Sequence, residues 1–318
     1  MRRAAPLLLV LASVLALAGC GQQAESSASQ ARPTSSDDPR YLPLAAYDMS
    51  GDDGRTVNRA SWTLARQCMV RLGFDSLRNL STDPAPDWPQ RPAGTAVAML
   101  IAYSDDLRYG IRDPEQAARY GYQGARADYE RDHPERKWTL SEYLALTGMF
   151  VGDDPRTVHG HRIPERGCLG EADREIYGWN PQDRIDPVWH LKSKSLQQAM
   201  RDPAWGKADK AWSACMRKAG YRYANPADAV TGSDRKRQEL RERLADPEYD
   251  LNKPSALEKK TATADARCKQ RTGYVRTVHA IDVRIQLRLV AENRAKLEKQ
   301  QRWNSDAVRR AHDILEDG

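Results

Sequence analysis

The residues best suited to chemistry lie between positions 159 and 190. His159-Gly160-His161 offers two imidazoles that could share a metal, with Glu165 or His190 as a third ligand. Three such ligands plus a water make a catalytic zinc site. Gly160 and Pro164 place the pair in a loop, however, and a polar loop leading into Cys168 accounts for it more simply, so His159 and His161 stand as weak metal candidates. Ser233-Asp-Arg-Lys236 has the spacing of a nucleophile and its lysine, as in penicillin-interacting enzymes. Their companion motifs are absent, and the surrounding charge reads as a capped, solvated helix. Asp48, Ser50 and Asp52 open like a calcium loop, but the glycine falls at 54 and Arg59 stands at the twelfth position. The chain has no phosphate-binding glycine loop, dinucleotide fingerprint, nucleophile elbow or His-Glu-x-x-His pair. This reading assigns no catalytic residue and no cofactor.

Cysteines are the other reactive side chains. Apart from Cys20 there are four, Cys68, Cys168, Cys215 and Cys268, and none forms a Cys-x-x-Cys pair. An even number in an exported chain predicts two disulfides, for which three pairings exist. Cys68–Cys168 with Cys215–Cys268 is favoured, because it staples two consecutive halves. Each bridge would close a long loop, worth about 4 kcal/mol in the chain-entropy account. Three of the four share a local pattern of Cys, four residues, Gly and an aromatic: Gly73-Phe74, Gly220-Tyr221 and Gly273-Tyr274. A glycine just past a helix end can turn left-handed, and the next residue then packs back on the last turns. These are read as three helix endings, each with its aromatic over a cysteine.

The elements that must carry these residues are helical. Asp-Pro recurs at 113, 154, 186, 202 and 246; Asp caps helices and Pro suits their first position. Helices are expected at 61–72, 114–131, 139–146, 168–177, 187–200, 203–219, 234–244 and 255–270. Residues 75–94, with four prolines, read as a loop. The apolar run 95–103 suits a short strand or a buried helix. Residues 281–289 alternate like a strand, yet 274–303 lacks Gly and Pro, so one long helix is preferred. The fold class is mainly α with little or no β, a disulfide-stapled helical domain over 56–318. It is one domain, or two packed halves at about 56–180 and 181–318.

The N-terminus supplies an address. Arg2 and Arg3 precede an apolar stretch, Ala4 to Ala18, that is too short to span a bilayer. Leu17-Ala18-Gly19-Cys20 resembles the lipobox of bacterial lipoproteins. That resemblance implies a signal peptide at 1–19, a diacylglyceryl group on Cys20, and acylation by fatty acids such as palmitate. Residues 20–55 are read as the lipidated cysteine and a flexible tether, most clearly the Ser/Gln/Ala-rich 21–40. Further pieces are Cys68-Met69…Gly73-Phe74, Arg108-Tyr109-Gly110, Gly167 to Ala172 and Ala214 to Tyr221. With the lipobox, they resemble cell-envelope lipoproteins of high-GC Gram-positive bacteria. The resemblance implies placement on the outer face of the membrane and brings no activity.

Charge and aromatics narrow the partners. The chain has 50 Lys and Arg against 44 Asp and Glu, a net charge of +6. Mean hydropathy is −0.77, which excludes a membrane-embedded transporter or channel. Outside a membrane the relevant polyanions are lipid head groups and wall polymers, and nucleic acid is not expected. The charged runs at 235–243 and 284–302 are mixed in sign and read as solvated helix faces. Trp88, Trp138, Trp179, Trp189, Trp205 and Trp303 could stack on glycan sugars, although filling a helical core is the simpler use. The expected function is a membrane-anchored binding or interaction module, with an envelope protein or an anionic wall polymer as partner. The alternatives are an envelope hydrolase built around His159, His161, Glu165 and Glu171, and a solute-binding component. Such a component would ordinarily show a two-lobed α/β pattern, which the sequence lacks.

Overall fold

A computed structural model describes residues 38, 40–49, 51–92, 108–122, 136–179, 186–232 and 254–317. The signal segment, Cys20, the Ser-rich part of the tether, the run 95–103, Ser233–Lys236 and the helix expected at 234–244 lie outside them.

Nine helices are named here: α1 (Gly51–Arg71), α2 (Pro114–Tyr120), α3 (Leu140–Thr147), α4 (Gly167–Tyr177), α5 (Pro187–Met200), α6 (Pro203–Lys218), α7 (Ala256–Thr272), α8 (Tyr274–Glu292) and α9 (Arg294–Asp317). Residues 226–232 are helical as well. Among the described residues, β structure is confined to an antiparallel pair, β1 (Thr157–Val158) and β2 (His161–Arg162). The molecule is mainly α, as its periodicity predicts. Asp113, Asp186 and Asp202 each cap a helix that starts with proline, their carboxylates accepting backbone N–H bonds at 2.7–3.3 Å.

The core has three main parts. The first joins Trp62, Met69, Leu144 and Leu146 around Cys68–Cys168. The second joins Val188, Trp212, Met216, Val278 and Leu289 beside Cys215–Cys268. The second cluster also takes in Leu44 and Tyr109, from outside 181–318, and both cysteine pairs are those favoured by the staple argument. The third interlocks the halves: Val57 and Ala60 of α1 and Ile176 of α4 share a cluster with Ala307 and Ala311 of α9.

Three boundaries differ from expectation. The stretch read as tether is not uniformly tether, because Leu42 and Leu44 are buried and residues 43–47 form a 3-10 turn. The Leu44 N–H donates to Gln286 Oε1 at 3.0 Å, tying that turn to α8; helix α1 then begins at Gly51, ten residues ahead of the expected start. Helix α2 stops at Gly121, whose φ of +63° breaks the helix, and residues 123–131 of the expected span lie outside the described residues. The long C-terminal helix is two helices. Asn293 ends α8: its N–H bonds the Leu289 and Val290 carbonyls and its side-chain amide donates to Leu289 O at 2.8 Å. An asparagine that satisfies the final carbonyls itself can close a helix without Gly or Pro.

Candidate anion-binding face

Helices α6 and α7 are stitched together by chemistry their sequence hides. Beside the Cys215–Cys268 bridge, the Trp212 indole N–H donates to Asp265 Oδ1 at 2.9 Å. Lys269 Nζ donates to Asp265 Oδ2 and to the Ile111 carbonyl, both at 3.1 Å. Burial pushes the Asp265 carboxyl up and the Lys269 ammonium down from their ordinary values, and each charge opposes the shift in the other. A second buried pair lies nearby. Arg108 clamps Asp282 with two bonds of 2.6 and 2.8 Å, and the Tyr109 hydroxyl adds a third at 2.8 Å. Arg108 and Tyr109, the Arg-Tyr of the Arg-Tyr-Gly piece, are thus structural anchors on α8.

The consequence for α7 is a separation of sign. Its acids, Glu258 and Asp265, face inward at 2% and 0% exposure. Lys259, Lys260, Thr263, Arg267 and Arg271 face outward. Lys260, Arg267 and Arg271 recur at the 7- and 4-residue steps that keep one helical stripe. On α6, burial of Trp205, Ala208, Trp212 and Met216 leaves Lys207, Lys210, Arg217 and Lys218 exposed, and Arg222 follows. Among the described residues, none of these cations has a carboxylate at ion-pair distance; Arg217 donates to Ser213 Oγ at 3.0 Å. The two acids on this side are otherwise engaged: Asp209 accepts the Tyr274 hydroxyl at 2.9 Å, and Asp228 accepts from Asn225 at 3.2 Å.

Two hollows open on this face, on either side of the turn after α6. One, of about 410 Å³, has Tyr221 and Cys268 in its wall and Lys259, Lys260, Arg267 and Arg271 around it. The other, of about 790 Å³, takes Lys210, Arg217 and Arg222 with Ser213 and Tyr223. The turn itself is the predicted motif. Gly220 stands at φ +89°, its N–H bonds Arg217 O, and the Tyr221 N–H reaches Met216 O at 2.9 Å. Gly73 does the same after α1, with Phe74 N–H on Met69 O at 3.0 Å. Gly273 differs: it caps α7 and starts α8 in one residue, so Tyr274 is helical and sends its hydroxyl to Asp209.

Helix stability accounts for only part of the charge. Arg217, Lys218 and Arg271 sit at helix C-termini, where cations are favoured; Lys259 and Lys260 sit near the N-terminus of α7, where they are not.

Of the two metal candidates, His159 serves packing. His159 Nδ1 donates to the Leu72 carbonyl at 3.0 Å, and its ring lies 4.6 Å from Phe74, closing the end of α1. His161 is exposed on β2, Glu165 and His190 are exposed, and Glu171 pairs with Arg71. Among the described residues, no three His, Cys, Asp or Glu side chains form a metal-binding group. No described helix is long and apolar enough to cross a membrane.

No protein-family model matches the chain, and neither the curated proteins nor the solved structures contain a match to it.

Proposed function

We propose that this chain is a lipid-anchored, exported binding module of the cell envelope, held on the outer face of the membrane through Cys20. Its face on α6 and α7 would engage a phosphate-rich anionic polymer. The observation that carries the reading is the ring of Lys259, Lys260, Arg267 and Arg271 around the α7 groove, with no ion-pair partner among the described residues while the acids of the same helix are buried. Like charges held together repel one another, and a polyanion relieves that repulsion while releasing its own counterions. Export and lipidation rest on the Leu-Ala-Gly-Cys match and on the two cysteine pairs, which suit an oxidising compartment.

The test uses the full chain in neutral detergent, with polyglycerol phosphate as the probe. Binding should weaken steeply with salt. The triple change Lys260→Gln, Arg267→Gln, Arg271→Gln should weaken it at least about tenfold and lower the log–log salt slope by about two to three. Binding that ignores salt or the triple change would overturn the reading. Binding to vesicles of anionic lipid but not to the polymer would assign the face to head groups.

A further inference from the structure

A third concavity lies away from the cationic face and owes nothing to it. It is a cleft of about 670 Å³ between the 43–47 turn, the C-terminal end of α4, the start of α5 and helix α9. Its volume falls in the range of small-ligand sites, about 300–1,000 Å³.

The wall is built mainly of rings and polar groups, with Met49 and Pro187 as its aliphatic members. Tyr47, Tyr177, Trp179 and Trp303 line it. Trp179 lies 5.7 Å from Trp303 at an interplanar angle of 60°, and 6.0 Å from Tyr177 at 53°. Two parallel rings would make a slot for a flat aromatic base. These tilted rings make a curved wall, which suits a puckered ring whose C–H groups meet the negative faces of the indoles. The Gln300 amide donates to Asn304 Oδ1 at 2.9 Å, and the Asn304 amide donates to the Tyr47 carbonyl at 3.4 Å, so α9 presents an ordered amide pair at this wall. Burial, with Asp173 and Asp186 close by, pushes the Tyr177 hydroxyl up to about 12, so it keeps its proton at neutral pH.

The rim has a sign. Lys296 and Lys299 project from α9, and neither has a carboxylate partner among the described residues. Lys299 Nζ sits 4.8 Å from the Trp303 ring centroid, which holds one ammonium beside an aromatic wall.

We propose that this cleft binds an acidic sugar, with the pyranose ring against Trp179 and Trp303 and its carboxylate between Lys296 and Lys299. The rings select a sugar face, the amides and the Tyr177 hydroxyl meet ring hydroxyls, and the lysines favour a negative substituent over a neutral one.

The experiment follows tryptophan fluorescence and titration calorimetry on the full chain in neutral detergent. The probes are a disaccharide containing one glucuronate, the neutral disaccharide cellobiose, and AMP. The acidic disaccharide should bind, cellobiose should bind about three- to tenfold more weakly, and AMP should not compete. Trp303→Ala should weaken the acidic disaccharide at least about tenfold, with Trp303→Phe recovering most of it. Lys296→Gln changes an exposed side chain that supports no fold contact. It should weaken the acidic disaccharide about threefold and leave cellobiose unmoved. The inference fails if neither sugar binds at millimolar concentration, if cellobiose binds as well as the acidic sugar, or if AMP binds more tightly than both. The triple change on α7 should leave all three titrations untouched, so this result and that for the cationic face fail separately.

Discussion

Two single residues carry charge that the fold makes expensive. Asp173 on α4 is partly buried, with no hydrogen-bond or ion-pair partner among the described residues. Burial pushes its carboxyl up to about 6 from 3.8. The folded chain therefore holds this proton more tightly than the unfolded chain. The stability this confers is complete below about pH 4 and is lost as pH rises through 6. Asp173→Asn should therefore raise stability at pH 7.5 by about 1–2 kcal/mol, less than the full shift because the group still meets water. At pH 4 it should give no gain. Thermal melts at the two pH values check this, and an equal gain at both would sink it. Lys269 is the converse case. It is the cation of a fully buried pair, so Lys269→Met should cost about 3–5 kcal/mol in urea unfolding by leaving the Asp265 charge uncompensated. Adding Asp265→Asn should recover much of that loss. Neither role is legible in the sequence. Asp265 and Lys269 stand four apart, as in an ordinary surface ion pair, and only the tertiary position of Trp212 shows that this pair is inside.

At the scale of elements, the cues that proved legible are those written in backbone chemistry. Asp-Pro marks three helix starts, and glycine marks the ends of α1 and α6, because caps and left-handed turns depend on a few adjacent residues. Asn293 escaped for the same reason inverted: one asparagine splits an apolar period that continues on both sides. The charge of α7 escaped because a count of five cations and two acids over 256–272 reads as mixed until the helix is rolled and the signs separate. The meeting of α3 and α4 supplies a sharper prediction. Gly148 ends α3 at φ +61°, and a Cβ there would stand 2.5 Å from the Gly167 nitrogen at the start of α4. Gly152 has a similar φ of +57° with open space around it. Both Gly→Ala changes incur the left-handed penalty of about 1–2 kcal/mol, but only Gly148→Ala adds a clash of about 1–3 kcal/mol. Chemical denaturation of the two variants should differ by that second amount. Equal losses would mean the two helix ends are free to part.

On the scale of the whole molecule, the covalent staples and the packing divide the work differently. Each disulfide stays within its own half: Cys68–Cys168 spans 100 residues and Cys215–Cys268 spans 53. The connection between the halves is noncovalent and has two parts: residues 108–120 pack on α7 and α8, where Arg108 and Tyr109 hold Asp282 and Ala117 meets Ala262 and Ala266, and α9 buries Ala307 and Ala311 with Val57, Ala60 and Ile176. Small residues at such a contact let helices approach closely, and they leave no room for a larger side chain. The Arg310 guanidinium also donates to the Ile176 carbonyl at 2.5 Å, close to the end of α4. Helix α9 at the same time carries Lys296, Lys299 and Trp303, so the seating of α9 fixes the geometry of the aromatic cleft. Ala307→Leu should therefore cost about 1–3 kcal/mol by overpacking. It should also change the tryptophan emission of Trp179 and Trp303, while both disulfides stay formed. The cationic face, built on α6 and α7 in the other half, should keep its salt-dependent binding. Thermal unfolding, emission spectra, thiol titration and polymer binding on one variant read the four consequences together. A loss of polymer binding in step with the cleft would show that the two sites are coupled through the core. Preserved binding beside an altered cleft would show that α9 governs one site alone.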